Sequence, residues 1–215
     1  VGVDAKICGL TRPEDAALAA ELGAWRLGVI FAGGPREVTP ACAAEIVTAG
    51  HGVPVIGVFG TQDAETILQV ARTAGLHGAQ LHGAGPAARA LALQAAGLEV
   101  WGVALLDDPV TVSTRMAAAS IGADVVLVEP RLAGGSGGRG VALPWDLVRA
   151  AREARGTARL ALAGGLTPDN LAAAIETGTA DVVDVSSGVE QEPGIKDSHR
   201  LTAFLEIARD HRPTR

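Results

Sequence analysis

Apolar and polar positions follow two rhythms along this chain. Short apolar runs recur, such as Val-Val-Leu-Val at 125–128 and Ala-Leu-Ala at 161–163. Continuous runs of this kind suit parallel strands covered on both faces. Between them lie stretches whose apolar residues repeat every three or four positions, as at Leu201, Phe204, Leu205 and Ala208. That spacing suits helices that bury one face. The pattern predicts strands over 6–8, 26–31, 55–59, 79–82, 100–105, 125–129, 160–163 and 182–186, with helices between them. Gly23, Gly52, Gly75, Gly97, Gly122, Gly156 and Gly178 fall where helices would end in a left-handed residue. Thr11, Thr39, Thr61 and Thr167 read as N-caps, each with a Pro or an acidic residue close behind. Repeated strand-then-helix units in 215 residues read as α/β class, a single (β/α)8 (TIM) barrel over residues 1–215. An open doubly wound sheet usually holds fewer strands.

Composition narrows the function. The net charge of −6 and the lack of any Lys/Arg block argue against nucleic acid as a partner. Tyr is absent and Trp and Phe number 3 each, too few for base-stacking platforms. No apolar run approaches the ~20 residues of a membrane span, so no membrane partner is expected. The first residues lead straight into a strand pattern without a signal-peptide signature, and the expected address is the cytoplasm. Cys8 and Cys42 form no C-x-x-C pair, and the histidines form no H-x-x-x-H, so no metal site is expected.

In a barrel the active site lies at the C-terminal ends of the strands. Residues falling there include Cys8, Arg36, Gln80, His82, Asp107, Asp108, Glu129, Gly164, Gly165, Asp184, Ser187 and Gly188. Gly164 and Gly165 follow a strand and precede a helix, where bare backbone N–H groups can cradle a phosphate. Ser187 and Gly188 end the next strand, and phosphate sites in this fold commonly use the loops after strands 7 and 8. A carboxylate facing the Cys8 thiol across the mouth would make an acid–base pair. Arg36 has the planar fork that grips a carboxylate in bidentate fashion. Residues 135–140 match G-x-G-x-x-G but neither follow a strand directly nor open a helix, which argues against a dinucleotide fingerprint. A plain flexible loop and a lid or phosphate-loop segment both fit that stretch.

The motifs in order are Lys6-Ile7-Cys8-Gly9, Pro35-Arg36-Glu37-Val38, Gly57-Val58-Phe59, Gln80-Leu81-His82-Gly83, Gly134-Gly135-Ser136-Gly137, Gly164-Gly165-Leu166-Thr167-Pro168-Asp169-Asn170 and Asp184-Val185-Ser186-Ser187-Gly188-Val189-Glu190, running on to Pro193-Gly194-Ile195-Lys196-Asp197. Together they cover nearly the whole chain, and the chain resembles the phosphoribosylanthranilate isomerase family of tryptophan biosynthesis. The resemblance implies an Amadori rearrangement of a phosphorylated small-molecule substrate. It needs no cofactor, because the substrate's own iminium is the electron sink. It implies Cys8 as general base, Arg36 on the anthranilate carboxylate, and Gln80, His82 and Asp184 on the rest of the substrate. Gly135, Gly164, Gly165, Ser187 and Gly188 would hold the phosphate. The family has Asp where this chain has Glu129, so the implied general acid is longer by one methylene. A displacement of about 1 Å at a reacting group can cost on the order of 100-fold. The expected form is a monomer or a homodimer. A related aminoaldose isomerase of histidine biosynthesis, whose family has Asp at the position of Cys8, is the alternative enzyme. A non-catalytic phosphate-ligand-binding barrel is the alternative from another class.

Overall fold

A computed structural model describes residues 2–83, 87–131, 143–178 and 180–211. Eight parallel strands close into a barrel in sequence order. They are β1 (Asp4–Ile7), β2 (Arg26–Ile30), β3 (Val55–Phe59), β4 (Gly78–Leu81), β5 (Glu99–Leu106), β6 (Val125–Pro130), β7 (Arg159–Leu162) and β8 (Val182–Val185). The helices that alternate with them are α1 (Pro13–Glu21), α2 (Pro40–Ala49), α3 (Ala64–Ala74), α4 (Ala87–Ala95), α5 (Val112–Ser120), α6 (Trp145–Ala154), α7 (Pro168–Gly178) and α8 (Ser198–Asp210). The barrel read from the apolar rhythm is the barrel observed. A short hairpin, β9 (Glu190–Glu192) and β10 (Ile195–Lys196), is inserted between β8 and α8.

Strand side chains alternate between the helix layer and the barrel interior because the strand repeat is two. Ala5 and Ile7 of β1 therefore join the large core beneath the helices. Lys6 and Cys8 take the other parity. Inside the barrel, Ile56, Trp101, Val125, Leu127, Ala161, Ala163 and Val182 pack as a separate apolar cluster with Trp25 and Val103 against it. At the N-terminal end the Arg26 and Arg159 guanidinium groups stand 3.8 and 4.4 Å from the Trp25 ring, a cation–π arrangement that closes this end.

The helix starts differ in part from expectation. Thr39 caps α2 by accepting from the Cys42 N–H at 3.2 Å. At α3 the cap is Asp63, which accepts from the Thr66 N–H at 2.8 Å, rather than Thr61. At α1 the N-cap position is Arg12, with no side-chain cap bond. Thr11 instead donates its hydroxyl to the Gly194 carbonyl at 2.6 Å, a bond to the β9–β10 turn. At the other end of α3, Gly75 takes the left-handed conformation expected of it, with φ 72°.

Candidate active site

The interior parity that fills the barrel with Trp101 continues upward as a polar layer. Lys6, fully buried, donates to Asp184 Oδ1 at 2.7 Å and to Gln80 Oε1 at 3.0 Å. Its ammonium sits 5.2 Å from the centre of the Trp101 ring. The parallel register that pairs Lys6 with Asp184 explains the contact between β1 and β8. Burial opposes the Lys6 charge, but Asp184 and the nearby Cys8 outweigh it and raise its pKa. Three side chains thus satisfy one another where an unpaired charge would be costly.

One layer higher is the mouth. Cys8 follows β1 directly, its N–H donating to the Val185 carbonyl at 2.8 Å, which continues the β1–β8 ladder. A Cβ on Gly28 of β2 would lie 2.8 Å from Cys8 Sγ and 3.1 Å from Lys6 Cε. Glycine there makes the room in which thiol and ammonium meet. Burial pushes the Cys8 thiol pKa up, Lys6 and Lys196 pull it down, and Asp184 adds to the rise; the net direction is upward. Glu129, buried on β6, places Oε1 2.5 Å from His82 Nε2. The hydrogen bond to Glu129 raises the His82 pKa against the opposing effect of burial. The short bond ties the imidazole to the carboxylate and holds both side chains at the mouth.

Arg36, in the loop after β2, forms a bidentate fork with Glu190: Nε reaches Oε1 at 2.8 Å and Nη2 reaches Oε2 at 2.6 Å. Its in-fold partner is therefore a carboxylate of the same chain, and only the guanidinium edge away from Glu190 remains for a ligand. Opposite, Gly164 and Gly165 after β7 have φ of 89° and 64°, backbone that only glycine adopts without strain. Asn170 fixes this turn by donating to the Gly165 carbonyl and accepting from the Thr167 N–H, both at 2.8 Å. Gly188 packs so closely on the Leu166 carbonyl that a Cβ would collide with it. The loops after β7 and β8 thus form one wall.

These groups surround a single cavity of about 410 Å³, within the range of small-molecule sites. Cys8, Arg36, Gln80, His82, Glu129, Gly164, Gly165, Asp184, Ser187 and Gly188 all line it. Asp107 and Asp108 do not. Asp107 pairs with Arg115 at 2.8 Å, and Asp108 caps a short 3-10 turn through the Val110 N–H. Gly135 and the 135–140 glycine motif lie outside the described residues. Among the described residues, no group of three or more His, Cys, Asp or Glu could hold a metal ion, and no helix is long and apolar enough to cross a membrane. Lys6, Lys196 and Glu190 were not among the residues singled out as site candidates. Lys6 could have been found, since it lies two positions before Cys8 in one extended stretch and so shares its side of the sheet.

A closed barrel with a thiol, a carboxylate–imidazole pair, a guanidinium and a glycine-rich wall around one mouth fits the class of barrel enzymes that move protons on anionic small molecules. Comparison with known proteins narrows the class. Residues 5–207 match the family described as N-(5'phosphoribosyl)anthranilate (PRA) isomerase. An N-(5'-phosphoribosyl)anthranilate isomerase of Roseiflexus castenholzii is 40% identical over 213 residues, covering 95% of this chain and 97% of that protein. The crystal structure of the Thermotoga maritima phosphoribosyl anthranilate isomerase superposes with a TM-score of 0.86 at 30% identity, covering 96% of this chain and 98% of that one. A phosphoribosyl anthranilate isomerase in complex with reduced 1-(o-carboxyphenylamino)-1-deoxyribulose 5-phosphate superposes at 0.83, with 29% identity over 96% of this chain and 98% of that one. The chain belongs to the phosphoribosylanthranilate isomerase family.

Proposed function

We propose that this cavity carries out the family's reaction through Cys8 as general base and Glu129, coupled to His82, as general acid. The substrate is N-(5'-phosphoribosyl)anthranilate and the product 1-(2-carboxyphenylamino)-1-deoxyribulose 5-phosphate, a step of tryptophan biosynthesis. The observation that carries the assignment is that one cavity brings together the thiol, the Glu129–His82 pair, Arg36 and the glycine wall. Each group then has a task. The backbone around Gly164, Gly165, Ser187 and Gly188 receives the phosphate. The free edge of the Arg36 guanidinium faces the anthranilate carboxylate. The acid gives its proton to the ribose ring oxygen, the C1′–O bond breaks, and the nitrogen lone pair forms the iminium. The Cys8 thiolate removes the C2′ proton, and the electron pair moves to the iminium to leave a neutral enolamine. Protonation at C1′ and loss of the hydroxyl proton at C2′ give the ketone. Lys6 beneath the thiol favours its ionised form and ties Gln80 and Asp184 in the layer below the reacting carbons.

The test is turnover by the purified chain, with loss of the aminoaldose followed directly. N-(5'-phosphoribosyl)anthranilate is consumed, and the chain restores growth of a tryptophan auxotroph that lacks this isomerase. The phosphorylated aminoaldose of histidine biosynthesis serves as the second substrate. Its consumption in place of the anthranilate compound would overturn the assignment.

A further inference from the structure

Lys196 lies on the β9–β10 hairpin, outside the cavity lining, and its side chain is fully buried. Its Nζ has three acceptors: the Cys8 carbonyl at 2.6 Å, Glu190 Oε1 at 2.9 Å and the Ser186 carbonyl at 3.2 Å. Three acceptors match the three N–H bonds of an ammonium, whereas a neutral amine has only two to give. Burial draws the Lys196 pKa below the ordinary lysine value and Glu190 opposes that. Each acceptor belongs to a different part of the site. Cys8 is the base, Ser186 precedes the Ser187–Gly188 segment of the phosphate wall, and Glu190 grips Arg36 through its fork.

The hairpin is itself anchored from both sides. The Lys196 N–H donates to Asp15 Oδ2 at 3.1 Å, and Asp15 is held by Arg12 at 2.6 Å. The Thr11 hydroxyl ties the turn at Gly194, and Arg200 Nη1 donates to the Glu190 carbonyl at 2.8 Å. Burying a lysine with no apolar return is costly unless every donor is matched, and here every match is to the frame of the mouth. The charge arithmetic also matters. Arg36 and Glu190 alone would be neutral, and Lys196 leaves the cluster with one net positive charge at the place where the substrate's carboxylate arrives.

We propose that Lys196, through Glu190, is a positioning residue for the reaction. It fixes the Cys8 backbone and the Arg36 guanidinium in one frame and keeps the carboxylate-reading cluster cationic. The inference rests on the reading of Cys8 as base, so its test needs a measurement that does not depend on turnover. Charged groups facing Cys8 come from β1 (Lys6), β8 (Asp184), β10 (Lys196) and the loop after β2 (Arg36), with Glu190 of β9 behind Arg36.

The test is a pH titration of the Cys8 thiolate by its ultraviolet absorbance, in a Cys42→Ser background so that one thiol is read. Lys196→Met removes a cation and should move the midpoint up by at least about 0.5 pH unit. Glu190→Gln removes the anion and should move it down. Opposite shifts are the signature of charge acting on a held thiol, because general loosening of the mouth would move both variants the same way. Unchanged midpoints, or shifts of the same sign, would overturn the proposal. If Lys196→Met fails to fold, Lys196→Gln replaces it in the same paired comparison, with the same opposite shifts expected and the same outcomes overturning the proposal. In active variants Lys196→Met should also raise KM for the carboxylate-bearing substrate at least several-fold while the Ki of inorganic phosphate stays within about twofold. An unchanged KM would refute the cationic-cluster part. A chain that turns over nothing yet shows the opposite shifts would overturn the assigned reaction and leave the electrostatic coupling standing.

Discussion

Replacing Glu129 by Gln isolates the acid step. Glu129 lies inside β6, paired in register with Leu105 of β5, so the backbone holds the side chain in place whatever its charge. Gln keeps the length and an oxygen that can still accept from His82 Nε2, now 2.5 Å from Glu129 Oε1. The substitution therefore removes the proton source with little change in shape. A positioned general acid is typically worth about 10²–10⁴ in rate, which is about 2.7–5.4 kcal/mol of barrier at 1.36 kcal/mol per tenfold. The expected result is a fall in kcat of at least about 100-fold. Competitive inhibition by inorganic phosphate should stay within about twofold, because the glycine wall is built by the loops after β7 and β8 and not by β6. Steady-state turnover of N-(5'-phosphoribosyl)anthranilate against a phosphate titration measures both. Glu129→Asp, which restores the family's residue, should retain activity. Near-normal turnover by Glu129→Gln would refute the acid assignment and shift it to Asp184, the other carboxylate lining the cavity, despite its engagement with Lys6.

Three further outcomes follow from the same geometry. Lys6→Met strands Asp184 without its buried partner, which should cost about 3–5 kcal/mol of stability, read by chemical denaturation; a loss under about 1 kcal/mol would contradict the buried pair. Gly188→Ala drives a Cβ into the Leu166 carbonyl, so KM for the phosphorylated substrate should rise at least about tenfold; an unchanged KM would show that the wall does not hold phosphate. The His82 pKa is raised by its bond to Glu129, so the stability this gives is full below the unfolded histidine value of about 6.5 and is lost as pH rises through the higher folded value. His82→Asn should flatten the fall in Tm over that window, and an identical pH profile in both proteins would refute the coupling.

The sequence carried the barrel because strand parity and helix punctuation are local properties. It also carried the mouth, since Cys8, Gln80, Glu129 and Asp184 sit where their strands end or point inward. What it did not carry is held by long-range geometry. Lys196 meets the Cys8 carbonyl across 188 positions of chain, and nothing near Lys196 in sequence announces a buried ammonium. Arg36 looked like a free carboxylate reader until folding brought Glu190 onto it. Thr11 had the composition of an N-cap, yet its hydroxyl is spent on Gly194, because the β9–β10 hairpin closes over the start of α1. Lys6 is the opposite case: the period of two placed it beside Cys8, but a lysine in a barrel interior runs against its usual exposure.

The most direct measurement of the account is kcat for purified wild type and Cys8→Ala with N-(5'-phosphoribosyl)anthranilate, alongside binding of a reduced product analogue to each. Wild type should turn the substrate over. Cys8→Ala should lose at least about 100-fold in kcat, the low end of what general-base catalysis contributes, with analogue binding changed by no more than a few-fold. Retention of more than about a tenth of kcat by Cys8→Ala, or no turnover by wild type, would contradict the assignment of the thiol as the base that takes the C2′ proton.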